Sequence, residues 1–294
     1  MIYSGIKIVH QKMMELLEYI NEICTREKIQ YFLDGGSNIG AVRHQGFIPW
    51  DDDVDISLAK KDYLKLIEIL KKEKRVHFYF DDFMHHCCSF VFFENEYWQI
   101  AKEGYFPSLY PIKIDIRPLN IIKNSEEAVR LNTIYRNCAE YILFGKVKNA
   151  GIDTIKNVIF DFGGKEKFLH FYNTEYGILD VQTEGKLCSH PYFLYSTEEA
   201  MPVEWFFPVR DVSFENMSTF IPRTDEFLKA YYGNYMALPP QNEQAPYAVG
   251  LANVKNSKIN KLSDYFISRQ NNTLPFYKNI ELKFIMKFCA KKVK

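Results

Sequence analysis

No two of the six cysteines in this 294-residue chain stand at CxxC spacing, and Cys87 and Cys88 are adjacent. A disulfide framework or a zinc ribbon is therefore not expected, and the thiols read as reduced. The opening residues Met1-Ile-Tyr-Ser-Gly-Ile-Lys7 lack the basic-then-apolar layout of a secretory leader. No apolar run approaches the roughly 20 residues that a bilayer span requires. The expectation is a soluble or peripheral, cytoplasmic protein. Charge of one sign is also missing: 37 basic residues balance 37 acidic ones, so no global field draws nucleic acid. There is no internal repeat, no low-complexity tract, no clear linker, and no Ser or Cys nucleophile motif pointing to a covalent intermediate.

What is present begins with apolar content. At 47% hydrophobic, with 24 Phe and 20 Tyr, the chain can bury one large core or two small ones. Ile6, Val9, Met13, Leu16, Leu17, Ile20 and Ile23 recur at helical spacing, predicting a helix over 6–28. A short strand at 31–34, a Gly35-Gly36-Ser37 turn and one or two helical turns at 38–43 follow. A helix over 60–73 should bury Tyr63, Leu66, Ile67 and Leu70. Strand character marks 76–81, 88–93, 97–102 and 112–117. Ser125 is placed to cap a helix reaching about 144, and another helix is expected over 165–175. Residues 206–221 read as a hairpin turning at Glu215-Asn216. Thr224 caps a helix that Gly233 ends. The expected organisation is a catalytic core over 1–125, a helical and hairpin part over 126–270 integrated with it, and a basic amphipathic tail over 271–294.

The most informative stretch is Gly46-Phe-Ile-Pro-Trp-Asp-Asp-Asp-Val-Asp-Ile56, with four carboxylates in five residues beside an apolar strand. In an extended chain Asp51, Asp53 and Asp55 share one face. Like charges so close repel, and a divalent cation such as Mg²⁺, with its preference for hard oxygen ligands, removes that repulsion. Asp52 points the other way and serves structure. A second metal-like run, His85-His86-Cys87-Cys88, alternates across a strand and cannot easily gather around one tetrahedral ion, so it reads as the start of a strand.

Three parts in order resemble the nucleotidyltransferase fold of the DNA polymerase beta type. They are the Gly35-Gly36-Ser37 turn leading into a helix, the Asp53-x-Asp55 pair on the next strand, and Asp115 in Ile112-Lys-Ile-Asp-Ile116. The longer string Gly36-Ser-Asn-Ile-Gly-Ala-Val-Arg-His-Gln-Gly-Phe-Ile-Pro-Trp-Asp-Asp-Asp-Val-Asp-Ile56 closely resembles the signature of the LicD/fukutin family. Later blocks agree: Phe207-Pro208, Phe214-Glu215, Ile221-Pro222, Tyr231-Tyr-Gly233 and Leu238-Pro-Pro240. The resemblance spans roughly residues 8–240 and is dense in 30–58. It implies an α+β fold with a mixed sheet and additional helices. It also implies transfer of phosphocholine or a polyol phosphate from a CDP-linked donor to a hydroxyl of a glycan or lipid-linked glycan, with one or two Mg²⁺ (or Mn²⁺) as cofactor and no nucleic-acid partner. The chain departs from the family pattern at Ser37-Asn38-Ile39, usually Thr-Leu-Leu, and at Asp115-Ile-Arg117-Pro-Leu-Asn120, commonly Asp-Ile-Phe-Pro-Leu-Asp. A third departure is the run after Pro240, where Arg or His residues are common and Gln241-Asn-Glu-Gln-Ala-Pro246 stands.

Roles follow from chemistry. Asp53 and Asp55 are the first metal ligands. Asp115 is a third ligand or the base that takes the acceptor hydroxyl's proton, with a buried paired carboxylate as the alternative. Asp51 supports them from behind. Gly35, Gly36 and Ser37 offer backbone N–H groups to a phosphate. Arg43 and His44 either bind donor phosphate or pair with the aspartates. Trp50 packs the loop or faces the donor. The run Lys278–Lys294 sets six lysines against Glu281 alone, interleaved with apolar residues. It can rest on anionic lipid or dock on the domain with a solvated lysine face.

Overall fold

A computed structural model of the chain describes residues 6–80, 89–93, 98–101, 109–145, 151–181, 185–189, 200–244 and 248–252. The His85–Cys88 run and residues 253–294, which include the whole basic tail, fall outside these residues. The elements in order are α1 (Ile6–Glu27), β1 (Phe32–Leu33), α2 (Gly35–His44), β2 (Val54–Ala59), α3 (Lys60–Leu70), β3 (Val76–Phe80), β4 (Ser89–Phe93), β5 (Trp98–Ala101), β6 (Leu109–Pro111) and β7 (Lys113–Lys123). Then come α4 (Glu126–Phe144), α5 (Ile152–Asp161), α6 (Lys165–Thr174), β8 (Lys186–Ser189), β9 (Met201–Pro202), β10 (Arg210–Phe214), β11 (Met217–Ile221), α7 (Glu226–Tyr232) and β12 (Ala248–Ala252).

The main sheet is mixed, in the order β1-β2-β7-β4-β3, with β8 and β9 continuing from the far half of β7. Among the described strands of this sheet only β2 and β7 run parallel; the other pairs are antiparallel. The expected α+β class with a mixed sheet and added helices is what the chain forms. Strand β7 is longer than the 112–117 expected, because it changes partner midway. Residues 113–116 pair with β4 and 120–123 with β8. Pro118, which has no N–H to donate, sits in the changeover.

Both faces of the β2–β7 pair are covered, so β2 is buried throughout and β7 is buried except at Lys113, Arg117 and Lys123. Val54, Ile56, Leu58, Ile114 and Ile116 point into a core shared with the apolar stripe of α1, whose seven predicted face residues are all buried. The opposite face begins polar and ends apolar. Asp55, Ser57 and Ala59 lie in register beside Asp115, Arg117 and Leu119. Ala59, Leu119 and Ile121 then join Ile39 of α2, Phe206, Phe207, and Phe227 and Leu228 of α7 in a second core. Period-two alternation thus places every site carboxylate of these strands on the face away from α1.

Helices α4, α5 and α6 form a third cluster around Cys138, Ala139, Ile155, Ile159, Phe168 and Tyr172. Ser125 Oγ accepts from Ala128 N–H, the expected cap. Helix α5 was not anticipated; Gly151 precedes it without a side-chain cap. The hairpin turns at Glu215-Asn216 as expected, but its Phe214 and Ile221 belong to the first core rather than to the helical part. The helix expected from Thr224 starts one residue later, after Asp225, with Thr224 Oγ1 accepting from Glu226 N–H at 3.4 Å. Cys24, Cys138 and Cys188 are buried free thiols. Among the described residues no helix is long and apolar enough to cross a membrane.

Candidate functional site

Asp53, Asp55 and Asp115 each present a carboxylate oxygen, and these oxygens lie within 4.8 Å of one another. Two constraints bring them together. The parallel register sets Asp55 beside Asp115 across the ladder, and Asp53 sits one residue before β2 begins. Asp55 and Asp115 are buried while Asp53 is half-buried, giving the cluster an open side.

The supports come from α2 and the loop before β2. Asp34 caps α2: its Oδ1 accepts from Gly35 N–H at 2.8 Å, and Ser57 Oγ donates to its Oδ2 at 2.6 Å. Helix α2 therefore starts at Gly35, so the glycine turn is its first turn rather than a loop before it. A carboxylate already answers that helix end, which the sequence reading had assigned to phosphate. Ser37 Oγ accepts from Asp55 N–H at 3.0 Å, fixing the start of β2. Gly35 has φ +52, and a Cβ there would stand 3.1 Å from Asp55 Oδ2 and 3.7 Å from both Arg117 Nη1 and Tyr232 Oη. Only glycine keeps that space open. A Cβ at Gly36 would lie 2.5 Å from Asp51 Oδ2, so the Asp51 carboxylate packs on the helix start.

Electrostatics is dominated by burial and crowding. Desolvation, then Asp53 and Asp55, push the Asp51 carboxyl well above the usual carboxylate range, and a hydrogen bond with Asp53 adds to this. Burial likewise raises Asp55, with Asp53, Asp115 and Asp34 adding repulsion against the opposing pull of Arg117. Arg117 Nη2 lies 2.8 Å from Asp55 Oδ1, close enough for an ion pair but poorly aligned as a hydrogen bond. Lys113 Nζ contacts Asp115 Oδ1. Burial pulls the Lys113 ammonium down, but Asp115, Asp53 and Asp55 together hold it above its ordinary value. The donor set fits a hard divalent cation: three carboxylates, two on paired strands and one just before β2, one of them with a buried, misaligned oxygen, and no sulfur or imidazole among them.

Other expected residues lie elsewhere. Arg43 Nη1 donates to the carbonyls of Tyr235 and Ala237 at 2.6 and 2.9 Å, and its Nε to His44 Nε2 at 3.0 Å. It clamps the segment after α7, neither pairing with the aspartates nor standing among them. His44 meets Trp50 edge-on at 6.3 Å, and Trp50 packs on the second core. Sequence reasoning missed Asp34, Lys113, Arg117 and Tyr232. The two cations were legible in principle, being Asp115 minus and plus two on a strand.

A helix end, two parallel strands and three converging carboxylates define a nucleotidyltransferase-like domain. Residues 28–127 match the LicD/FKTN/FKRP nucleotidyltransferase domain, so this part of the chain is similar to the LicD/fukutin family. It is 27% identical over 253 residues to the lipopolysaccharide cholinephosphotransferase LicD of Haemophilus influenzae, covering 80% of this chain and 93% of that protein. It is 40% identical over 48 residues to the human ribitol 5-phosphate transferase FKRP, 16% of this chain and 10% of that one. The mouse FKRP protein matches over the same extent.

Proposed function

We propose that the chain is a divalent-cation-dependent phosphotransferase. It moves a phospho-alcohol group, phosphocholine or a polyol phosphate, from a CDP-linked donor to a hydroxyl of a cell-surface or lipid-linked glycan. The observation that carries this reading is the meeting of Asp53, Asp55 and Asp115 within 4.8 Å across the β2–β7 pair. The names of the matching relatives, a cholinephosphotransferase and a ribitol 5-phosphate transferase, support the class of group transferred.

Asp53, Asp55 and Asp115 would hold Mg²⁺ or Mn²⁺. When bound, such an ion neutralises charge building on the attacking and leaving oxygens of phosphoryl transfer. The chain's own residues do the rest. Gly35 leaves room for a phosphate against Asp55, Arg117 and Tyr232. Asp34 and Ser37 hold α2 and β2 at fixed separation through hydrogen bonds of 2.6 to 3.0 Å. Preorganisation of this kind lowers the reorganisation needed at the reacting centre. The acceptor oxygen bonds to the distal phosphorus as the bridging P–O bond breaks, CMP leaves, and the hydroxyl proton passes to a carboxylate base, for which Asp115 is our candidate. A cytoplasmic site of action, with 278–294 resting on an anionic membrane surface near a lipid-linked acceptor, completes the proposal.

The test is product analysis. The full chain is incubated with Mg²⁺, an acceptor glycan and, separately, CDP-choline, CDP-ribitol, CDP-glycerol and CTP. Release of CMP from one diphosphate supports the proposal. Pyrophosphate from CTP would make the protein a nucleotidyltransferase instead. No product, together with no metal-dependent affinity for CDP by calorimetry, would leave only a non-catalytic glycan-binding role.

A further inference from the structure

The two cations at the site matter as much as its carboxylates. Lys113, Asp115 and Arg117 share one face of β7, and each cation grips a different member of the triad: Lys113 on Asp115, Arg117 on Asp55. Their side chains are 20% and 13% exposed, and those of their carboxylate partners 12% and 9%, so the pairs sit largely out of water. Such cations stabilise crowded carboxylates when no metal is near, and by the same charge they oppose a metal's entry.

Charge balance shows what they do once a metal enters. Three carboxylates exceed the charge of one divalent ion, and a nucleotide-linked diphosphate adds a negative charge on each phosphoryl unit. Without Lys113 and Arg117 a bound donor would face strong net repulsion; with them the assembly approaches neutrality. Geometry singles out Arg117. Its Nη2 holds Asp55, while Nη1 lies 3.7 Å from the point where Gly35 lacks a Cβ. One arm of the guanidinium fork therefore borders the side-chain-free space at the start of α2, where a phosphate can approach and accept a charge-assisted hydrogen bond from it.

We propose that Arg117, with Lys113 as its companion, is an exchangeable counter-ion: it holds Asp55 in the metal-free protein and turns to the donor's diphosphate once a divalent cation takes the carboxylates. The inference rests on the metal and diphosphate reading above and adds a residue that ties the two ligands together. Binding of the cation frees the diphosphate clamp, so metal and donor bind cooperatively.

The experiment is calorimetry on the full chain at pH 8, first with Mn²⁺ alone and then with CDP at saturating Mn²⁺. It compares the wild type with Arg117→Gln and Arg117→Lys. Arg117→Gln should bind Mn²⁺ about tenfold more tightly, because a nearby positive charge is gone. It should bind CDP about tenfold or more weakly, the loss expected for a charge-assisted hydrogen bond. Arg117→Lys should return Mn²⁺ affinity towards the wild-type value and recover part of the CDP affinity. Opposite signs in one variant are the signature, since an arginine that merely shapes the site would weaken both ligands. If Arg117→Gln fails to give a cooperative melt, Arg117→Lys carries the test, with Mn²⁺ affinity near the wild-type value and CDP bound several-fold more weakly. Unchanged CDP affinity, or Mn²⁺ affinity that falls with the charge removed, overturns the inference alone. A wild type that binds neither Mn²⁺ nor CDP overturns the functional reading itself.

Discussion

The two ends of β7 handle buried charge in opposite ways. Towards its start, Asp115 joins Asp53 and Asp55, and like charges crowd until two cations and, on our reading, a metal ion answer them. Five residues on, Asn120 meets a buried ammonium. Lys60 Nζ donates to Asn120 Oδ1 at 3.0 Å and to the Tyr172 carbonyl, and lies 5.0 Å from the centroid of the Tyr172 ring. Its partners are neutral, and burial alone pulls its pKa down to about 7. The ammonium joins α3, β7 and α6, stitching the helical cluster to the sheet. Excess charge of one sign is kept where chemistry needs it; a lone charge is tolerated where it organises packing. Substitutions at the two ends should therefore fail differently, the first in activity and the second in stability.

The largest effect belongs to the carboxylate end. Asp53→Asn should lower turnover by about 10³-fold or more, on the scale of losing a preorganised electrostatic group. Its melting temperature should stay level or rise, because repulsion within the cluster is relieved. Retained turnover in the donor assay would remove Asp53 from the ligand set. At the other end the signature is pH dependence. Below about 7, Lys60 is charged in both folded and unfolded chains, and its burial penalty is complete. Between about 7 and the ordinary 10.5, the folded amine is neutral while the unfolded one still binds a proton, so stability rises with pH. The wild type should gain roughly 3–4 kcal/mol relative to Lys60→Met between pH 7 and pH 10. Urea titrations of both proteins at pH 7 and pH 10 measure the difference; parallel behaviour would show that the ammonium is solvated or paired.

That contrast also marks what the sequence could show. The triad was legible because its residues carry local signals: a dense acidic run, a glycine-rich helix start and an Asp between apolar neighbours on a strand. The helical stripe of α1 and the Ser125 cap were legible for the same reason. Lys60 was not, because a lysine opening an amphipathic helix looks solvent-facing until α6, more than 100 residues away, closes over it. Arg43 was misjudged similarly: proximity to the acidic run suggested phosphate or aspartate, but the carbonyls of Tyr235 and Ala237 lie nearer. Contacts of long sequence separation decided both, and no local pattern encodes them. The helical cluster's place was equally hidden, since α5 has neither a side-chain cap nor an acidic pair at its start to announce it.

Smaller effects come from the loop that carries the acidic run past α2. A Cβ at Gly40 would stand 2.5 Å from the Gly46 carbonyl oxygen and 3.2 Å from Ile48 N, both backbone atoms that cannot swing aside. Gly40→Ala should cost about 1–3 kcal/mol by overpacking, despite a helix-propensity gain of up to about 1 kcal/mol. Turnover should fall with it, since the displaced loop leads into Asp51 and Asp53. A stabilised Gly40→Ala protein would mean that loop and helix are not in close contact.

The mildest substitution tests how the hairpin holds that loop. Glu215 Oε1 accepts from Phe47 N–H at 3.1 Å, while Glu215 N–H donates to the Gln45 carbonyl at 2.8 Å. His10 stacks on the Phe47 ring at 4.0 Å, and its Nε2 is 2.6 Å from the Asp51 carbonyl oxygen, linking α1 to the same loop. Burial lowers the His10 pKa, and the Asp51 carbonyl and the Glu215 charge each work against that shift. Glu215→Gln keeps the shape and an acceptor oxygen, so its stability cost should stay below about 1 kcal/mol. Removing the charge should nevertheless lower the His10 pKa further, a change that an NMR titration of the imidazole resolves. Because burial is the leading cause, the pKa should remain below the ordinary histidine value in both proteins. A rise on Glu215→Gln would mean that the hairpin turn and α1 do not meet at Phe47, and the support assigned to the acidic loop would have to come from elsewhere.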